Sequence, residues 1–131
     1  MSTLTRAELE MMRVLWEHGE MNPTQIQQKY PRPIKNAALR FQLKVLLGKG
    51  HVSRRKEGKT YYYQAVMLRQ NVFREMTRRM SDAFCGGSAV GLIAELIRSE
   101  KLTPADVEEV KRFAETDRPP EASEEEEESP S

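Results

Sequence analysis

Residues 54–66 read RRKEGKTYYYQAV, and no other stretch gathers so many side chains suited to one kind of chemistry. Arg54, Arg55, Lys56 and Lys59 fall within six positions, and Tyr61, Tyr62 and Tyr63 follow without interruption. Guanidinium and ammonium groups crowded in this way neutralise phosphates and release condensed counterions. A tyrosine hydroxyl can reach a phosphate oxygen as well. A second group lies just upstream: Lys35, Asn36, Ala37, Arg40, Phe41 and Lys44. Arginine and lysine pair with guanine edges or phosphates, and an apolar side chain meets the thymine methyl.

Catalytic chemistry is thinly supplied by comparison. The chain has one cysteine, Cys85, and two histidines, His18 and His51. None of the three sits in a sequence context that activates a nucleophile, and they lack the close spacing of metal ligands. No catalytic residue, metal or cofactor is therefore expected. Cys85 precedes Gly86-Gly87 and reads as a residue packed at a helix end, with an intersubunit disulfide as the redox alternative.

The net charge of +1 over 131 residues conceals a division. Residues 1–85 hold 16 Lys/Arg against 7 Asp/Glu, a charge of +9, whereas residues 86–131 hold 5 against 13, a charge of −8. A basic front half suits a polyanionic partner and an acidic rear does not. No apolar run approaches the roughly 20 residues of a membrane span, and the opening MSTLTRAELE lacks a signal pattern. Together with the lone cysteine this makes a reducing cytoplasm the expected compartment and leaves no membrane partner.

Elements able to position the basic groups can be read in order. Thr5 and Glu8 form a T-x-x-E capping box, with Leu4 and Leu9 at staple spacing. Leu9, Met12, Leu15 and Trp16 then make a helical stripe that His18-Gly19 ends. Asn22, Pro23 and Gln25 repeat the capping grammar for a short second helix, stopped by the YPRP of residues 30–33. A third helix, from residue 34 or 36 to 49, has Leu39, Leu43, Leu46 and Leu47 on one face. Ala37, Arg40, Phe41 and Lys44 lie on the other, and Gly50 closes it. HVSRRK and TYYYQAV flank a Glu57-Gly58 turn as a hairpin. Period-2 alternation sends Tyr61, Tyr63 and Ala65 inward and Tyr62, Gln64 and Val66 outward.

Beyond the hairpin the pattern is helical. Val72, Phe73, Met76, Met80 and Phe84 stripe a helix over residues 68–84, and CGG breaks it. Ala89, Leu92, Ile93, Leu96 and Ile97 define the next. Thr103 opens a last one, with Val107, Val110, Phe113 and Ala114 on one face. The remaining RPPEASEEEEESPS is charged, contains proline and lacks aromatics, the composition of a disordered tail.

Three short helices followed by a basic hairpin is the order of a winged helix-turn-helix. In that motif the third helix enters the major groove and the hairpin lies along the backbone. The expected fold is mainly α with a small β-hairpin. Residues 1–67 form the DNA-binding domain, 68–116 a helical dimerisation domain and 117–131 an acidic tail. Dimerisation is expected through Val72, Phe73, Met76, Met80, Phe84, Leu92, Ile93, Leu96, Ile97, Val107, Val110 and Phe113, because these stripes cannot bury themselves alone. A twofold dimer reads a palindromic operator. The alternative reading is a winged-helix interaction module whose basic wing docks an acidic protein. The acidic run Glu124–Glu128 could also fold over the wing and compete with DNA.

Three stretches resemble the penicillinase repressor family of winged-helix regulators: LTRAELEMMRVLWEHGEM, LRFQLKVLLGKGHVSRRKEGKTYYYQAV and FCGGSAVGLIAELIRSEKLTPADVEEVKRF. The likeness covers residues 4 to 114. It implies a homodimeric repressor with a winged domain at the front and dimer helices behind. Arg40 falls where the family carries a recognition-helix arginine, and residues 54–59 fall on its basic hairpin. Lys35, Asn36, Ala37 and Ala38 stand where members often read Ser-Pro-Lys-Thr. The Asn-Phe bond cleaved in antibiotic-responsive members falls here near Ala94-Glu95, and copper-responsive members carry a cysteine cluster where Cys85 stands alone. An upstream sensor or protease is a partner that the resemblance brings in without identifying it.

Overall fold

The structure is a computed structural model and describes residues 4–116. In chain order the elements are α1 (Arg6–His18), α2 (Pro23–Lys29), α3 (Asn36–Gly48), β1 (Val52–Glu57), β2 (Thr60–Ala65), α4 (Arg69–Cys85), α5 (Ala89–Ser99) and α6 (Pro104–Ala114). They form two compact units, one up to Met76 and one from Thr77 onward, so the division falls inside α4. The expected tail at 117–131 lies outside the described residues.

The first unit is built from reciprocal local caps. Glu8 N donates to Thr5 Oγ1 at 3.1 Å while Thr5 N donates to Glu8 Oε1 at 3.0 Å. Asn22 and Gln25 close the second box at 2.8 and 2.9 Å, with Pro23 at the first helical position of α2. Each box satisfies two backbone donors that a helix start otherwise leaves open. Gly19 ends α1 with its N–H on Leu15 O. α3 starts without a side-chain cap, its N-cap position being Lys35.

Met11, Met12, Val14, Leu15, Met21, Ile26, Tyr30, Leu39, Leu43, Leu46, Val52 and Tyr63 form the core. The buried stripe of α1 is wider than expected, because Met11 and Val14 join it while Leu9 and Trp16 stay half-buried. Burying a leucine or isoleucine here contributes about 1.5–3 kcal/mol of transfer free energy. Long-range fastenings surround this core. Trp16 Nε1 donates to Met67 O at 2.8 Å, pinning α1 to the segment after β2. Arg32 grips Glu10 through two bonds of 2.7 and 3.1 Å and holds that carboxyl below its ordinary value. Tyr30 is pushed up to about 12 by burial, with the Glu10 charge adding to the effect.

Glu8 does more than cap. It is 4% exposed, and its Oε2 accepts from Lys49 Nζ at 2.8 Å. Burial opposes its ionisation, but the Lys49 ammonium and the Thr5 amide, with a smaller contribution from the His51 charge, outweigh it and hold the carboxyl low. The start of α1 is thereby tied to the end of α3.

In the second unit, Ser88 caps α5 by accepting from Gly91 N, and Thr103 with Asp106 boxes the start of α6. α4 runs one residue beyond the expected end, through Cys85, and Gly86 and Gly87 turn the chain with φ of 58° and 86°. Neither α5 nor α6 contains a buried residue.

Candidate nucleic-acid interface

α3 divides cleanly along its length. Leu39, Leu43 and Leu46 turn into the core, and Ala37, Ala38, Arg40, Phe41 and Lys44 stand exposed on the opposite side. Phe41 is 61% exposed, an unusual position for a phenylalanine with no interior role. Lys35 and Asn36, also exposed, stand at the head of the same helix. Arg40 Nε donates to Asn36 Oδ1 at 2.8 Å, a bond between residues one helical turn apart. It uses only Nε of the exposed Arg40 guanidinium, whose two terminal nitrogens remain as donors for a base edge or a phosphate.

The hairpin follows. β1 and β2 pair antiparallel from Val52↔Ala65 to Glu57↔Thr60, so the two-residue turn is Gly58-Lys59, one position later than expected. Gly58 has φ of +66° and Lys59 does not share the left-handed region, which matches a type II′ turn with glycine first. The register decides which cation meets which ring. Arg54 pairs with Tyr63, Arg55 with Tyr62 and Lys56 with Tyr61. Tyr63 is buried, and Tyr61 and Ala65 pack on the core, while Gln64 and Val66 are open to solvent. The expected alternation is therefore the observed one.

Arg54 lies 4.0 Å over the Tyr61 ring and donates to Tyr63 Oη at 3.3 Å, a bond that raises its already high pKa. Lys56 Nζ is 5.6 Å from the Tyr61 ring centre. Lys59 stands exposed in the turn. Tyr62 is half-buried under the Arg55 guanidinium at 4.9 Å. Met21 exchanges two backbone hydrogen bonds with Tyr63, 3.0 and 2.8 Å, so the hairpin is joined to the loop between α1 and α2.

The first unit thus brings together the recognition-helix candidates and the wing candidates on one folded body. The three residues weighed for catalysis stand in separate elements: His18 ends α1, His51 is buried at the entry to β1, and Cys85 ends α4. Among the described residues no group of three or more His, Cys, Asp or Glu is placed to hold a metal ion. No single described helix is long and apolar enough to cross a membrane.

The sequence profile of the penicillinase repressor family matches residues 4–116. The chain belongs to the penicillinase repressor family. As a member it is a DNA-binding transcriptional repressor and not an enzyme, with an N-terminal winged helix-turn-helix followed by a helical region. The penicillinase repressor of Bacillus licheniformis is 21% identical over 119 residues, covering 86% of this chain and 89% of that one. An uncharacterized 16.5 kDa protein of Latilactobacillus sakei is 25% identical over 108 residues, covering 79% and 73%. The crystal structure of Rv1404 from Mycobacterium tuberculosis superposes with a TM-score of 0.55 at 17% identity, over 92% of this chain and 78% of that one. That last likeness is one of fold.

Of the apolar residues expected to pair two copies of this repressor, Phe73, Met76, Met80, Phe84, Ile93, Leu96, Val110 and Phe113 are exposed, and Leu92, Ile97 and Val107 are partly so. Val72 differs. At 4% exposure in the first turn of α4, where the chain has just left the hairpin, it is used inside its own chain and offers nothing to a partner. Val90, 77% exposed, is absent from the expected set. Its spacing of three and seven residues ahead of Ile93 and Ile97 puts it on the same helical stripe as those two.

Proposed function

We propose that this chain is a homodimeric repressor of the cytoplasm that binds a palindromic operator. In this reading α3 lies in the major groove and the wing, residues 51–66, lies along the adjacent backbone. The observation that carries the proposal is the outward face of α3. Arg40, Phe41 and Lys44 are exposed there, on a helix whose other face is anchored by Leu39, Leu43 and Leu46. Arg40 and Lys44 supply guanine or phosphate contacts and Phe41 meets a thymine methyl, with Lys35, Asn36 and Ala37 at the helix start close to the same bases.

Dimerisation through residues 68–116 is supported by the apolar side chains that α4, α5 and α6 leave in solvent, Phe84 at 78% among them. Large apolar side chains left exposed in this number mark an interaction surface. A twofold pair of winged units reads two half-sites separated by a whole number of helical turns.

The test is equilibrium binding of the full chain to its own upstream DNA against a scrambled duplex, over a salt series. Preference for the upstream fragment of roughly a thousandfold or more is expected, in the range of specific regulators. Arg40→Ala should remove that preference while leaving the salt dependence largely in place. Equal, weak binding to both duplexes would overturn the operator reading. Absence of binding to either at low salt would turn attention to an acidic protein as the wing's partner.

A further inference from the structure

The four cations of the wing are not equivalent. All three guanidinium nitrogens of Arg55 are engaged: Nε donates to Glu20 Oε2 at 2.9 Å, Nη2 to Glu20 Oε1 at 3.1 Å, and Nη1 to Glu57 Oε1 at 3.1 Å. The Tyr62 ring closes one face of the same group at 4.9 Å. A two-bond fork on a carboxylate is the directional form of an arginine ion pair. Arg54, Lys56 and Lys59 make no ion pair with a carboxylate among the described residues.

Register explains the separation. Arg54 and Lys56 share a face of the hairpin with Tyr63 and Tyr61, and Arg55 shares the other with Tyr62. On that second face Glu20, Glu57 and Arg55 sum to one negative charge, which a phosphate backbone repels. On the first face the cations stand uncompensated. Glu20 also immediately precedes Met21, whose backbone bridges to Tyr63. The Glu20–Arg55 fork therefore adds a second fastening nearer the tip of a two-stranded ribbon that is marginal by itself.

We propose that Glu20 and Arg55 are positioning residues that fix the angle of the wing against the helices, and that Arg54, Lys56 and Lys59 make the wing's phosphate contacts without Arg55. The inference needs only that the chain binds DNA. It does not depend on operator symmetry, so a non-specific duplex serves as the probe.

The experiment measures affinity of the full chain for that duplex across a salt series. Lys59→Ala is expected to reduce the slope of log affinity against log salt by about 0.9 for each phosphate it no longer neutralises. Arg55→Ala should leave the slope unchanged and weaken binding roughly fivefold. Glu20→Gln should weaken it to the same extent, the double variant no further, and the exchanged pair Glu20→Arg with Arg55→Glu should recover wild-type affinity. Arg55→Lys, which keeps the charge and loses the fork, should behave as Arg55→Ala. Thermal melts of each variant confirm that the first unit is folded. A fall in slope for Arg55→Ala matching that of Lys59→Ala would overturn the proposal. So would tighter binding by Glu20→Gln, the result expected of a released phosphate-binding cation, or full affinity in Arg55→Lys.

Discussion

The unit up to Met76 and the unit from Thr77 onward are both helical, and both are striped with apolar residues, yet they dispose of those residues in opposite ways. Every buried hydrophobic side chain described, from Met11 to Val72, belongs to the first unit. In the second, Met80, Phe84, Val90, Ile93, Leu96, Val110 and Phe113 remain exposed. The difference lies in what faces each stripe. In the first unit the stripes of α1, α2 and α3 and the inner side of the hairpin converge on one another. In the second, α5 and α6 bury no residue at all. Amphipathic pattern is thus a statement that a face needs covering, and it does not say by what. The first unit buries the facing stripes of α1, α2, α3 and the hairpin, with Phe41, Phe73 and Met76 left outside them, whereas α5 and α6 leave theirs in solvent.

Substitutions can break or sharpen that contrast. Leu43→Ala removes a side chain that is 1% exposed and should cost about 2–5 kcal/mol in denaturant unfolding. The same change at Leu96, which is 46% exposed, should cost far less when the protein is dilute enough to be monomeric. Equal costs at the two sites would erase the distinction.

A charge in the second unit should act through association. Ile93→Asp is expected to weaken self-association roughly tenfold or more in sedimentation while the far-ultraviolet signal of the helices persists. An unchanged sedimentation coefficient with full operator affinity would place the dimer surface elsewhere.

Glu8 supplies a pH-dependent difference between the units. Its carboxyl is held below the ordinary value of 4.5 in the folded chain. Its stabilising contribution is therefore complete above that value and is lost as pH falls through the lowered one. Glu8→Gln should cost about 2 kcal/mol near neutrality, and the gap from wild type should narrow in melts taken toward about pH 3. A gap that stays constant with pH would mean that the Lys49 pair is not its source. The smallest effect expected is that of Asn22→Ala, about 1 kcal/mol from the lost α2 cap, read by the same melts.

Much of the molecule is legible in the sequence because the signals are short-range. Both capping boxes of the first unit join residues three apart, so Thr5 with Glu8 and Asn22 with Gln25 declare helix starts within a single turn of chain. Period-2 alternation sorts Tyr61 and Tyr63 from Tyr62 without any knowledge of packing, and the outward set Arg40, Phe41 and Lys44 follows from the leucines opposite. The turn is less legible. Composition centres it on Glu57-Gly58, one residue early, since Glu57 and Thr60 pair across a Gly58-Lys59 loop that composition alone cannot register.

What the sequence determined by itself, then, is the element order, the caps, the face of each helix and strand, and the class of molecule that a basic hairpin after three helices suits. Each of these is set by contacts between neighbours in the chain. The tertiary structure alone decided which charges are spent inside the protein. Glu20 meets Arg55 across 35 residues, Glu8 meets Lys49 across 41, and Trp16 meets Met67 across 51. It likewise decided that Val72 is interior. No local pattern distinguishes a cation that will find a carboxylate 35 positions away from one that will not. The choice is made only when folding closes those loops and brings the distant partner within hydrogen-bond reach.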